Sequence, residues 1–191
     1  APVPDRSEVL LQDVVTRVRP ERGREARLRP FEIPAPLPEN PEATTREMLE
    51  SIVSRTNGER AVSIRTDLQE TMMTNVSVYR TDDTLAEALG DLQTLRQRAA
   101  TVTCDDKGKR FNTDLMDAVE VQFMVDYAEA ITESAKNRTE SRGAHLREDY
   151  ASRDDENWLK HTLFWSDQKG GTEIGYKDVI ITRFQPKERK Y

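Results

Sequence analysis

The sequence predicts a mainly α domain: a bundle of three to four helices followed by an irregular C-terminal tail with a small β-hairpin. Three observations carry this. Apolar residues recur at helical spacing in successive segments between Glu42 and Asn137. Capping and turn residues separate those segments. After Arg142-Gly143 the helical period stops, and two short strand-like runs flank Lys169-Gly170-Gly171.

The chain divides at about residue 41. Residues 1–41 hold eight of the nine prolines and read as a Pro/Arg-rich extended segment or linker. Within it, Val9, Leu10, Val14 and Val18 form a short amphipathic stretch. An arginine run from Arg17 to Arg29 follows, interleaved with Glu21 and Glu25. Mixed-sign runs of this kind are usually solvated. Residues 42–191 form the domain.

Its first helix is capped by Thr44 or Thr45, carries Met48, Leu49, Ile52 and Val53, and stops at Asn57-Gly58. A second runs from about Asp67 to Val78 with Leu68, Met72, Val76 and Tyr79 on one stripe. Thr81-Asp82-Asp83 caps a third, on which Leu85, Leu89, Leu92, Leu95 and Ala99 share a face. Asn112-Thr113-Asp114 opens a fourth that reaches about Asn137. Apolar residues cover most of its circumference, so it belongs at the centre of the bundle. Thr162–Ser166 and Thr172–Tyr176 are the two arms of the hairpin, and Val179–Phe184 is a further extended segment.

Charge and composition set limits on function. At 191 residues with a net charge of -6, the chain lacks the basic surface that phosphate recognition needs, so nucleic acid is not its ligand. No apolar run approaches the roughly 20 residues that cross a bilayer, which argues against direct membrane insertion. The N-terminus APVPDRSEVL does not read as a signal peptide. A lone cysteine, Cys104, forms no internal disulfide and fits a reducing compartment; the expected location is cytoplasmic. Neighbouring Asp105 and Asp106 should raise its pKa and keep it unreactive.

The densest chemistry lies in Glu140–Leu163, ESRGAHLREDYASRDDENWLKHTL, which contains both histidines, His145 and His161. This stretch resembles the C-terminal domain of the flavoprotein subunit of succinate dehydrogenase and fumarate reductase. The likeness rests on S-R-G-A-H, the R-x-D-Y after it, and R-D-D-E-N-W-L-K-H-T-L. It extends to L-Q-E-T-M (Leu68–Met72), V-S-V-Y-R (Val76–Arg80), K-G-K-R-F-N-T-D-L (Lys107–Leu115) and the tail R-F-Q-P-K-E-R-K-Y (Arg183–Tyr191), an ending similar to actinobacterial members. These motifs cover about Thr44 to Tyr191 in family order.

The resemblance implies a parent enzyme that oxidises succinate on FAD and passes electrons to an iron–sulfur subunit. It also implies a complex peripheral on the cytoplasmic face of the membrane. The family's flavin domain opens on a strand followed by G-x-G-x-x-G, and the glycines here (23, 58, 90, 108, 143, 170, 171 and 175) make no such fingerprint. The family's flavin-linking histidine, substrate-binding residues and proton donor all lie upstream of this region. No catalytic, cofactor-binding or metal-ligating residue is therefore assigned, and the chain alone is expected to be inactive and colourless. Its implied work is structural: to buttress the flavin-binding and capping domains and to offer surface to the iron–sulfur subunit or a flavinylation factor.

The candidate inter-domain or partner contacts are Arg142, Gly143, His145, Arg147 and, in the basic tail, Arg189. Gly143 should take a left-handed conformation at the helix C-cap. Arg142 and His145 either dock on the absent flavin domain or tie the helix end to Glu148–Asp149. On the docking reading, Arg142→Ala leaves the melting temperature of this chain nearly unchanged. Trp158 and Trp165 should anchor the C-terminal part. A metal on His145 and His161 matches no tight ligand spacing. Ser141, His145 and Asp149 have the residue types of a nucleophile triad but no strand–turn–helix elbow. Two other readings are a free-standing helical interaction module and the matching domain of L-aspartate oxidase, which also carries an E-S-R-G-x-H step.

Overall fold

The computed structural model describes residues 37, 39–166 and 171–187. The elements are α1 (Ala43–Ser54), α2 (Ala61–Asn75), β1 (Tyr79–Arg80), α3 (Asp82–Ala100), α4 (Thr113–Asn137), β2 (Leu146–Arg147), α5 (Asp155–Trp158), β3 (Lys160–Ser166) and β4 (Thr172–Asp178). The domain is mainly helical, with a small antiparallel hairpin at its C-terminal end, as the sequence predicts. The amphipathic stretch and the arginine run near the N-terminus lie outside the described residues.

Two helix starts follow the capping chemistry closely. Thr81 accepts from the Thr84 N–H while the Thr84 hydroxyl accepts from the Thr81 N–H, a reciprocal box that opens α3. Asn112 Oδ1 accepts from the Leu115 N–H at 2.7 Å and opens α4. The other two starts differ. α1 begins at Ala43, so both threonines lie inside its first turn, and Glu42 precedes it without a side-chain cap. α2 begins at Ala61, six residues before Asp67, because Ala61 and Ile64 extend its buried stripe towards the N-terminus.

The main core joins Ile52 of α1, Ile64 and Leu68 of α2, Leu92 and Leu95 of α3, and Val121 and Val125 of α4. Val102 and Cys104 close one end. Alanines at Ala88, Ala99, Ala118, Ala128 and Ala135 are buried, which lets helix axes approach. α3 and α4 run antiparallel: Arg96 of α3 reaches Asp126 and Glu129, and Asp82 at its N-terminus meets Lys136 near the end of α4. Met72 of α2 meets Thr132 and Arg65 meets Asp117, so α2 runs parallel to α4.

α4 is central, yet one side of it faces solvent. Phe123 is 58% exposed and Tyr127 71%, with Met116 and Ile131 also accessible. The buried side uses small residues instead, so wide apolar coverage here does not mean burial on every side.

β3 and β4 pair from Lys160↔Asp178 to Ser166↔Thr172. Trp158 packs edge-on against Tyr176 of β4, with ring centroids 5.6 Å apart. Trp165 of β3 lies across Gly175 and is half-buried. Val179–Phe184 is not a strand: it continues past β4 with no pairing partner among the described residues, and Ile180 and Phe184 are exposed. Cys104 is buried, and its Sγ–H donates to the Asp106 carbonyl. Its pKa is pushed up chiefly by burial, with Asp114 and Asp106 adding to the effect.

The α1–α2 connection is stitched to the α3–α4 connection. Arg55 donates to the Val102 carbonyl at 2.7 Å, and the Thr103 hydroxyl donates to the Arg55 carbonyl at 3.1 Å. Gly58 sits at this crossing with φ 157°, and a Cβ there would collide with the Thr101 carbonyl oxygen. Gly58→Ala should therefore destabilise the domain by about 1–3 kcal/mol, because backbone on both sides must move. Gly90→Ala is the matched control: a Cβ at Gly90, mid-helix, meets nothing within 4 Å. It should stabilise by about 0.5–1 kcal/mol. Thermal unfolding of the two variants checks both signs.

Candidate functional site

The chain after α4 folds into a compact turn built almost wholly from charge. It starts with Arg138, the residue after the last turn of α4. Arg138 donates to Glu140 at 2.6 Å, to the Trp158 and Lys160 carbonyls, and stacks 5.1 Å from the Trp158 ring. One side chain thus ties the end of the long helix to α5 and β3.

Glu140 is fully buried. It takes hydrogen bonds from Arg138, from Arg142 Nε and Nη2 at 2.7 and 3.0 Å, and from the Asp154 N–H at 2.8 Å. Burial alone would push its carboxyl pKa up. Arg142, the Asp154 N–H and Arg138 outweigh burial together, and the net shift is downward. Arg142 continues to Asp155 at 2.7 Å, which Arg153 clamps from the other side. Arg142 therefore pairs with Glu140 and Asp155, not with Glu148–Asp149.

Gly143 has φ 62°, but it is not the helix C-cap. α4 ends at Asn137, and Arg138 is extended. Gly143-Ala144 instead form the tip of a two-residue turn in which Arg142 and His145 exchange both backbone hydrogen bonds. The helix stops earlier because Arg138 turns outward to reach Glu140 and β3.

Arg147 has no exposed surface. Its Nη1 donates to the Ala135 and Lys136 carbonyls in the last turn of α4, at 3.1 and 2.9 Å. Its Nε and Nη2 form a fork on Asp149 at 2.8 and 2.7 Å. Asp149 in turn accepts from the Asp82 N–H at the start of α3, at 2.8 Å. Asp149 is pulled down to about 2, mainly by Arg147. Arg147 thus faces inward and presents no side-chain donor to a partner.

His145 is held at both ring nitrogens. Arg80 Nη1 lies 2.7 Å from Nδ1, and a guanidinium only donates, so Nδ1 accepts. Nε2 then carries the proton and donates to the Arg138 carbonyl at 3.2 Å. The geometry selects the neutral ring. Burial pushes the His145 pKa down, and Arg80, Arg147 and Arg138 add to the effect, against a smaller upward pull from the Arg138 carbonyl. Arg80 itself caps α2 by donating to the Val76 and Ser77 carbonyls.

These contacts decide what the residue types can do. Ser141 Oγ accepts from the Arg147 N–H and faces the Tyr150 and Arg147 carbonyls. Ser141, His145 and Asp149 each answer to a different arginine-centred contact and do not join into a nucleophile relay. His161 lies on the same concave surface as His145. No cluster of three or more His, Cys, Asp or Glu side chains that could hold a metal occurs among the described residues. Arg189 lies outside them. Sequence reasoning gave no role to Arg80 or Arg138 and read Asp82 only as part of a helix cap. The alternation Arg138-x-Glu140-x-Arg142 was the available signal, because residues two apart in extended backbone lie on one face, where opposite charges on long side chains can meet.

Glu140→Gln keeps the shape but leaves Arg138 and Arg142 without their shared buried anion. It should cost about 3–5 kcal/mol in a denaturant titration. Arg142→Ala should likewise lower the melting temperature, a reversal of the docking expectation, because it strips two bonds from Glu140. The pH dependence has a defined sign. A histidine whose folded pKa is depressed leaves the unfolded state holding more protons below its ordinary 6.5, so stability is lost as pH falls from there. A second loss should begin below about 3.8 and run towards about 2, as Asp149 protonates. Melting temperatures across pH, for the natural chain and His145→Gln, should show the first loss only in the natural chain.

Residues 65–191 match the family model described as fumarate reductase flavoprotein C-term. The fumarate reductase flavoprotein subunit of Mycobacterium tuberculosis is 44% identical over 134 residues, which is 70% of this chain and 23% of that protein. The succinate dehydrogenase flavoprotein subunit of Rickettsia conorii is 36% identical over 167 residues, 84% of this chain and 28% of that one. A solved structure of E. coli quinol fumarate reductase superposes with a TM-score of 0.70 at 36% identity, covering 76% of this chain and 25% of its own. The chain thus spans about a quarter of the length of the relatives it matches. On sequence, fold and extent of match together, the chain belongs to the family of C-terminal domains of the fumarate reductase and succinate dehydrogenase flavoprotein subunits.

Proposed function

We propose that this chain serves as the C-terminal structural domain of a cytoplasmic succinate dehydrogenase or fumarate reductase flavoprotein, peripheral on the cytoplasmic face of the membrane. In this reading the parent interconverts succinate and fumarate on FAD. This domain buttresses the flavin-binding and capping domains and offers surface to the iron–sulfur subunit or a flavinylation factor. The observation that carries it is the match of residues 65–191, at a length of about a quarter of the relatives.

The residues present do not fit FAD. Its pyrophosphate needs a glycine-rich turn opening onto a free helix N-terminus. No helix start among the described residues follows a G-x-G-x-x-G turn, and the sequence contains none. Among the described residues no helix is long and apolar enough to cross a membrane.

The proposed contact surface is the turn tip of Arg142, Gly143 and His145, together with Arg189 in the tail. Arg147 supports that tip from behind. A domain swap tests the reading. The fumarate reductase flavoprotein of Mycobacterium tuberculosis is cut before its matching segment and fused to residues 65–191 of this chain. The fusion should hold flavin and reduce fumarate, whereas the truncated protein should do neither. Arg142→Ala within the fusion should lower flavin content further than its stability loss explains. A fusion that folds but is as flavin-free as the truncation would refute the proposal.

A further inference from the structure

The exposed side of α4 is one wall of a trough. Leu68 and Met72 of α2 form the other wall, and Phe123, Met124, Tyr127 and Ile131 line it from α4. Its volume is about 550 Å³. The stretch from Glu120 to Ile131 is roughly 17 Å of helix, at about 1.5 Å per residue. A soluble surface that leaves two aromatic rings more than half exposed along one groove marks an interaction site.

The two ends of the trough differ in charge. Glu120 stands at the end nearer the start of α4. At the other end, Tyr127 and Ile131 also line a second concavity, bounded by Arg80, Arg138, His145, Lys160 and His161. No Asp or Glu lines this bay. Lys160 Nζ has no carboxylate partner among the described residues; it rests 4.8 Å from the Trp158 ring and 4.1 Å from the Tyr176 ring. Arg80 spends Nε and Nη1 on the contacts described above and Nη2 on none of them. His161 is exposed. Arg138 is already paired with Glu140 and His145 is held neutral, so Arg80 and Lys160 carry the charge of the bay. In a chain of net charge -6, an acid-free lining with two cations is a local inversion of sign.

We infer that trough and bay form one docking surface for a partner polypeptide segment whose apolar side chains are followed by carboxylates. The apolar part fills the trough and the acidic end enters the bay. The Tyr127 and Ile131 side chains belong to both concavities, so a single continuous segment can occupy them. Glu120 fixes the direction, because an acidic end placed there would meet like charge. The inference goes beyond the buttressing role: it specifies the chemistry of what covers this face, and it holds for any partner with that chemistry.

The test is selection of a phage library of random short peptides on the full 191-residue chain. Enriched sequences should carry apolar residues with Asp or Glu at one end. Their affinity should fall at least about tenfold against Phe123→Asp or Tyr127→Asp. It should fall comparably against the pair Lys160→Glu and His161→Glu, and should survive Lys160→Arg. Raising salt should weaken binding of the acidic peptides. Melting temperatures of each variant show that the fold is kept, and these side chains lie at the surface, away from Glu140 and Arg147. No enrichment, enriched peptides without carboxylates, or equal binding to the natural chain and the variants would overturn the inference. None of these outcomes bears on the flavin content of the fusion protein, so the two readings fail separately.

Discussion

The Arg147–Asp149 fork is the interaction on which the rest of the turn depends. It spans two helix ends of opposite polarity. The last carbonyls of α4 are unpaired within the helix and carry partial negative charge, and the guanidinium sits on two of them. The first N–H groups of α3 are likewise unpaired and carry partial positive charge, and the Asp149 carboxylate sits on one of them. The ion pair is thus inserted head-to-tail between two dipoles, and each helix end stabilises the charge nearest to it. This explains how an arginine can be wholly buried. A lone buried cation costs several kcal/mol, whereas here Nε, Nη1 and Nη2 all donate to a carboxylate or a carbonyl, and Asp82 lies 3.7 Å from Nη2. Lysine could not replace it, because a point charge cannot hold the planar fork and the helix carbonyls together.

Glu140 extends the same logic in the opposite sense. It is a buried anion enclosed by two guanidinium groups and one backbone N–H, and no buried side-chain polar atom among the described residues lacks a partner. Such networks contribute little net stability compared with an apolar core of equal volume, yet they lose several kcal/mol if one member is removed. What they add is uniqueness of arrangement. Arg138 and Arg142 must both reach Glu140, and Arg138 must also reach the carbonyls of Trp158 and Lys160. Few backbone paths satisfy all of these at once. The hairpin of β3 and β4 is therefore positioned on the end of α4 by directional bonds, where its half-buried aromatic residues alone would allow sliding.

The helices were legible in the sequence because their signals are local. The Thr81 box, the Asn112 cap and the leucine stripe of α3 depend on residues a turn or less apart, and they appear where the spacing puts them. The start of α2 was misjudged because its first buried residues, Ala61 and Ile64, give only a short apolar signal, blurred by the exposed Val62 between them, and only α3 and α4 packing beside them selects helix there. The hairpin was legible from its glycine turn, but Val179–Phe184 carries strand composition without a neighbouring edge to pair with among the described residues. The charged turn was recognisable as a motif and opaque as a structure. Arg142 has two acidic runs within reach along the chain, and its choice of Glu140 and Asp155 is set by how far the backbone doubles back. Gly143 was correctly read as needing a left-handed conformation, and misplaced because the end of α4 is fixed by Arg138, whose partners lie on α5 and β3.

Polar composition and the open face of α4 have one explanation. With hydrophobic residues at 36%, the chain has enough apolar surface for one bundle core and little to spare. The buried side of α4 takes alanines, valines and a threonine, with Glu129 buried against Arg96 of α3, so the apolar packing between helices uses small side chains. Phe123 and Tyr127, its two largest apolar groups, are then left on the side that no helix among the described residues covers. A chain folding for its own stability alone would gain by exchanging these positions, since an exposed aromatic contributes little and a buried one a few kcal/mol. The arrangement persists beside a turn whose buried charges, Glu140 and Arg147, are saturated from within. Those buried charges hold the shape of the domain, and the apolar face of α4 is left uncovered by any described element.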